Sequence, residues 1–176
     1  GFDIQEFGFE LQEPAIDPNS IEEDEVPTDV VTRTSLGDVW QLGEHRLACG
    51  DSLESKTVEI LLDGKEAEML HTDPPYGVDY EGVNNDHLKA SAFGDFIQKA
   101  LENAFQHLKA GSNAYVWHAD IHSYEVIGAF RSAGFTQAKP GTIQWVKDSL
   151  VLSQGDYHSK NEPCLYGWKE GPGRQR

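Results

Sequence analysis

Ala67-Glu68-Met69-Leu70-His71-Thr72-Asp73-Pro74-Pro75-Tyr76-Gly77 is the stretch on which the fold turns. Its first six residues read as a strand running straight into an acid, two prolines, an aromatic and a glycine. In an open α/β sheet, ligands sit outside the carboxyl ends of the strands. That rule puts Asp73 at the mouth of a cleft, on a strand expected to be central. Proline fixes φ and carries no N–H, so carbonyls around Pro74 and Pro75 can face a site instead of a ladder. The Asp73 carboxylate and the Pro74 carbonyl are acceptors suited to the exocyclic amine of a base. Tyr76 offers a flat face on which an extruded base can stack. The plain alternative is a Pro-Pro turn that only closes a strand. Its place after a buried-looking strand, and before Gly77 and a polar loop over 78–90, favours chemistry.

Working outward toward the N-terminus, Asp38-Val39-Trp40-Gln41-Leu42 alternates and meets a turn at Gly43-Glu44. His45-Arg46-Leu47-Ala48-Cys49 follows, and the two form a predicted hairpin. Ser52 is placed to cap a short helix whose apolar side is Val58, Ile60, Leu61 and Leu62. Toward the C-terminus, Phe93, Phe96, Ile97, Ala100, Leu101, Ala104, Phe105 and Leu108 share one stripe and predict a helix over 92–108. Gly111 is the expected stop. A strand over 114–118, a helix over 122–133 closed by Gly134, a strand over 142–147, a loop over 150–160 and a last strand over 163–168 complete the pattern. Alternating strands and helices imply an α/β sheet. The last two strands have no helix between them and are expected to be antiparallel. Trp117, Trp145, Tyr166 and Trp168 lie on strands and read as core. Lys147, Lys160 and Lys169 read as solvated.

The formal net charge of −16 disfavours a plain nucleic-acid binder. Residues 1–30 hold ten acidic residues and no Lys or Arg, so −10 of the −16 belongs to them, leaving −6 for the other 146 residues. With Pro14, Pro18 and Pro27 breaking any helix, residues 1–35 read as an acidic linker or arm with little regular structure over 13–30. A DNA partner then requires a local basic strip or help from elsewhere. Cys49 and Cys164 form no C-x-x-C pair and suit buried thiols in a reducing cytoplasm. No apolar run approaches the roughly 20 residues that span a bilayer, so no membrane association is expected. His118-Ala119-Asp120-Ile121-His122 has alternating ligand types, but no further cluster supports it. It reads as a strand–helix junction capped by Asp120, with no metal.

Thr72-Asp73-Pro74-Pro75-Tyr76-Gly77-Val78 resembles the catalytic motif of the N6-adenine and N4-cytosine DNA methyltransferases. Further stretches agree in order. Trp40 to Ser52 is similar to the segment that precedes this motif in one prokaryotic and phage subgroup. Ala114-Tyr115-Val116-Trp117-His118-Ala119-Asp120, Ile143-Gln144-Trp145-Val146-Lys147 and Glu162-Pro163-Cys164-Leu165-Tyr166-Gly167-Trp168-Lys169 resemble its next three strands. The resemblance covers roughly residues 37–170 and is specific as an ordered set.

The resemblance implies a partial Rossmann-like, S-adenosylmethionine-dependent methyltransferase sheet with flanking helices and an antiparallel strand pair near the C-terminus. It divides the chain into an acidic linker over 1–35 and the incomplete catalytic part of a DNA methyltransferase domain over 36–176. S-adenosylmethionine is the implied cofactor and DNA the implied partner, in the cytoplasm of a prokaryote or as a phage product. Asp73, Pro74, Pro75 and Tyr76 are the implied catalytic residues. Asp73 and Asp51 are implied to bind cofactor, although Asp51 reads equally as a turn or cap acid. In the subgroup an acidic linker often follows a ParB-like nuclease domain. Its glycine-rich F-x-G-x-G cofactor motif and target-recognition segment come after the last strand; neither is found here. The expectation is an internal fragment, consistent with a first residue, Gly1, that is not a translation start. Asn161 stands where the family usually has a His before Glu-Pro. The remaining alternatives are a non-catalytic binding fragment and methylation of another planar amine, in RNA or a protein glutamine.

Overall fold

The computed structural model describes residues 31–79, 85–88, 90–151 and 159–174. The expectations for 1–30, for most of the polar loop and for 152–158 lie outside the described residues. The chain separates into two units, Gly1–Arg33 and Thr34–Arg176, and every element below belongs to the second.

Strands β1 (Val39–Leu42) and β2 (His45–Ala48) pair antiparallel as the expected hairpin, with Gly43 turning at φ +62°. Helix α1 spans Ser55–Leu62 and has Glu54 at its N-cap with no side-chain cap. Ser52 is therefore not the cap. Asp51 Oδ1 accepts the Leu53 N–H at 2.9 Å and builds a turn there, which delays the helix. At the other end Asp63 adopts the left-handed conformation, and Arg46 bridges its carboxylate (3.2 Å) and the Ile60 carbonyl (2.9 Å).

A four-stranded sheet follows. Strand β3 (Ala67–Thr72) leads through helix α2 (Ala90–Gln106) to β4 (Leu108–Trp117). A 3-10 turn at Asp120–His122 and helix α3 (Ser123–Ser132) lead to β5 (Thr136–Val151), which returns directly as β6 (Ser159–Trp168). The order is β3-β4-β6-β5; β3 and β4 are parallel, and β6 is antiparallel to both neighbours. The antiparallel last pair and the mixed α/β sheet agree with expectation. Four details differ. Helix α2 stops before Leu108, which opens β4, and Gly111 lies inside β4 at φ +87°. A Cβ there would stand 2.8 Å from the Pro172 carbonyl oxygen, so close backbone approach accounts for this glycine. Strands β5 and β6 both run longer than expected, because long-range pairing extends them past the apolar stretches. Asp120 does not cap α3; its carbonyl accepts the Ser123 hydroxyl at 2.8 Å. Finally, β3 is an edge of the described sheet, paired only with β4, not the central strand expected.

The core lies on one face of the sheet. Ala114, Val116 and Leu165 pack under Phe93, Ile97 and Leu101 of α2 and Val126 and Phe130 of α3, all of them buried. Full burial of each larger apolar side chain contributes about 1.5–3 kcal/mol. The alternate residues form the other face. Tyr115 and Tyr166 stack at 5.0 Å, Trp117 and Trp145 meet edge-on at 6.1 Å, and Trp117 Nε1 donates to His71 Nε2 at 3.0 Å. Of the strand aromatics read as core, Trp117, Tyr166 and Trp168 are half-buried on this face, and Trp145 departs from that reading at 53% exposed.

Candidate functional site

Asp73 sits at the carboxyl end of β3 and is exposed, while Pro74, Pro75, Tyr76 and Gly77 are half-buried behind it. Three tethers hold this loop. The Tyr76 hydroxyl donates to Glu162 Oε1 at 2.6 Å, and the other Glu162 oxygen pairs with the Lys147 ammonium. The Gly77 N–H donates to Asp86 Oδ1 at 2.8 Å, and the Asp79 N–H reaches the Asp86 carbonyl at 2.9 Å. The Gly77 carbonyl faces His122 Nε2 at 3.1 Å. A carbonyl can only accept, so that ring nitrogen carries the proton. Gly77 has φ +72°, and a Cβ on it would stand 2.9 Å from the Phe93 ring. A residue with a side chain at 77 would push the loop off α2.

Electrostatics follow from these contacts. Burial, then the hydrogen bond to Glu162 and the nearby Asp73 carboxylate, push the Tyr76 hydroxyl far above the ordinary tyrosine value. It remains a donor at any physiological pH. Burial alone would raise the Glu162 carboxyl, but hydrogen bonds from Lys147 and Tyr76 together with the Lys147 charge bring it below the usual carboxylate range. His118 is buried at the end of β4, and burial lowers its pKa against the opposing Ala119 carbonyl and Asp120 carboxylate. Burial raises the free thiol of Cys164, and Cys49 is a free thiol as well.

An apolar groove of about 260 Å³ opens beside the loop, lined by Val58, Leu61, Leu70, Pro74, Ile97 and Leu101 among others. Asp51 lines a separate hollow with Cys49 and Thr57, and its carboxylate is engaged by the Leu53 N–H. The structure thus keeps Asp73, Pro74, Pro75 and Tyr76 together and leaves Asp51 in a turn of its own. Glu162, Lys147 and Asp86 belong to the loop's surroundings and were not singled out from the sequence. Lys147, read as solvated, is paired, and Lys169 donates to the Phe105 and Leu108 carbonyls at 2.8 and 2.7 Å. The signal for Glu162 was its place in Glu162-Pro163. No local spacing reveals a partner 86 residues away. Among the described residues no three His, Cys, Asp or Glu side chains converge as a metal set, and no helix is long and apolar enough to cross a membrane.

No protein-family model matches the sequence, and no curated protein matches it significantly. Solved structures do share its fold. The crystal structure of TTHA0409 from Thermus thermophilus, assigned as a DNA modification methylase, superimposes with a TM-score of 0.50 at 21% identity, over 72% of this chain and 55% of that one. The same protein complexed with S-adenosyl-L-methionine gives 0.47 at 22% identity, over 72% and 56%. The crystal structure of M1.HpyAVI gives 0.48 at 15% identity, over 68% and 53%. The chain spans about half the length of these structures. At such identities the first likeness concerns the fold alone: a mixed sheet with flanking helices of the kind that methylase has.

Proposed function

We propose that residues 36–176 are the base-handling part of a DNA methyltransferase domain acting on the exocyclic amine of adenine (N6) or cytosine (N4). The observation that carries this reading is the geometry of the Asp73-Pro74-Pro75-Tyr76 loop. An exposed carboxylate ends a parallel strand, and an aromatic ring is pinned beside it by Glu162. The ordered resemblance of roughly residues 37–170 to these enzymes supports the same conclusion.

S-adenosylmethionine, when bound, supplies a methyl group on a positively charged sulfur. The residues present fit only part of that group: the exposed Asp73 carboxylate suits a cationic centre, Asp51 stands apart in its own turn, and no glycine-rich cofactor loop stands in the sequence. Tyr76 stacks the flipped base and holds its ring plane. The Asp73 carboxylate and Pro74 carbonyl accept the amine's two N–H groups and direct its lone pair at the methyl carbon. Bound beside Asp73, S-adenosylmethionine would supply the methyl group to that nitrogen and would leave as the neutral thioether. The nitrogen then sheds one proton toward the Asp73 side, which opens on solvent. No cysteine nucleophile takes part.

The test is tritiated methyl incorporation into DNA by the intact protein. Asp73→Ala should lower turnover by about two to three orders of magnitude, the usual loss for one preorganised polar group. Its fold should persist, since an exposed side chain leaves no cavity. Robust turnover by Asp73→Ala defeats the mechanism. The 176-residue chain alone should show none; turnover by it would place the whole cofactor site within these residues.

A further inference from the structure

Tyr76 has one hydroxyl proton and two carboxylates near it. Its hydroxyl donates to Glu162 Oε1 at 2.6 Å, and the Asp73 carboxylate lies near enough to push the hydroxyl's pKa up as well. A hydroxyl donates only one hydrogen bond at a time. Whichever acid accepts it has one acceptor position fewer for anything else. Asp73 is exposed at the loop tip, whereas the Glu162 side chain is 16% exposed and held on its far side by Lys147.

We infer that Glu162, held by Lys147, is a positioning residue that draws the Tyr76 hydroxyl away from Asp73 and keeps the Asp73 carboxylate open to an incoming amine. The inference rests on the reading of Asp73 as the amine acceptor, and it adds two residues to that site. Topology makes the arrangement possible. Strand β6 pairs with the carboxyl end of β4 through Trp117 and Cys164, so Glu162, two residues earlier, projects past the rim where β3 delivers Asp73. Trp145 lies opposite Glu162 on β5, which brings Lys147 within reach of the same carboxylate. The lysine has an electrostatic reason to be there: two carboxylates around one hydroxyl repel each other, and a paired cation removes that cost. The arrangement also accounts for a tyrosine being compatible with a site that must leave Asp73 unoccupied.

The distinguishing experiment is a rescue, measured as kcat for methyl transfer to DNA by the intact protein. Glu162→Ala should lower kcat by about tenfold, the weight of one ordinary hydrogen bond, with little change in KM for DNA because the stacking ring remains. Tyr76→Phe alone is the reference for the double variant, since it keeps the stacking ring and removes the hydroxyl. Tyr76→Phe combined with Glu162→Ala should recover most of the lost kcat, since the competing donor is gone. A residue that only braces the fold would not be rescued this way. Glu162→Gln, whose amide oxygen still accepts the hydroxyl, gives a second reading if Glu162→Ala melts below the assay temperature; near-wild-type kcat is expected. Wild-type kcat in Glu162→Ala, a double variant no better than Glu162→Ala, or a tenfold loss in Glu162→Gln overturns the inference. An active Asp73→Ala control overturns the parent reading, and this inference with it. An inactive control with no rescue overturns this inference alone.

Discussion

The two faces of the four-stranded sheet come from the same strands and meet different surroundings. One face, carrying Ala114, Val116 and Leu165, is sealed under α2 and α3, and its residues are buried alongside Phe93, Ile97 and Phe130. The other, carrying His71, Tyr115, Trp117, Tyr166 and Trp168, is a row of rings in contact with one another, half-buried or exposed and none fully buried. Strand periodicity assigns residues to two faces but does not say which face is covered. The difference lies in where the crossover helices go.

The sharpest way to break this contrast is to remove one ring from each side and measure unfolding in denaturant. Phe130→Ala, fully buried between α3 and the sheet, should cost about 3–5 kcal/mol. Tyr166→Ala on the open face should cost about 1 kcal/mol, the loss of one stacked aromatic pair and a little area. Equal losses would mean that the ring face is covered in solution. Trp145→Ala, at a half-open position that gives up only its edge-on contact with Trp117 and the nearby Lys147, should cost less, about 0.5–1 kcal/mol.

A smaller effect separates the rim from both faces by its pH dependence. His118 and Glu162 both have folded pKa values below their unfolded ones. Glu162's paired carboxylate stabilises above its unfolded pKa, and that contribution is lost as pH falls through the folded pKa; His118 is buried neutral, so a cost sets in as pH falls below its unfolded pKa and is complete below the folded one. Acidification should therefore erode stability in two stages, from about 6.5 downward for His118 and from about 4.3 downward for Glu162. Denaturant midpoints measured across this range should show both, and Glu162→Gln should remove only the second. A Glu162→Gln profile that still shows the lower stage would assign it to other carboxylates.

Much of the architecture was legible because it is written locally. The hairpin at 39–48, strand β3, the apolar stripe of α2 and the antiparallel last pair follow from alternation, helical period and turn residues. The misreadings share a cause. Leu108 fits the α2 stripe and yet begins β4, because pairing with Ala67 outweighs a helical period that ends beside it. Ser52 has the chemistry of a cap, but Asp51 turns the chain first. Trp145 was read as core from its place on a strand, and that place carries no information about which face the helices choose.

What the sequence determined by itself is the rim loop: a strand, Asp73, two fixed φ angles, Tyr76, and a glycine whose φ of +72° keeps the chain clear of Phe93. These are consecutive residues, and covalent geometry alone holds them together. Only the tertiary structure decided that Tyr76 meets Glu162, that Glu162 meets Lys147, that Gly77 is held by Asp86 and His122, and that β3 lies at an edge of the described sheet. Each of those depends on a strand or turn returning from far along the chain. A return of that kind is set by the packing of the whole sheet against its helices, which no local window of residues contains.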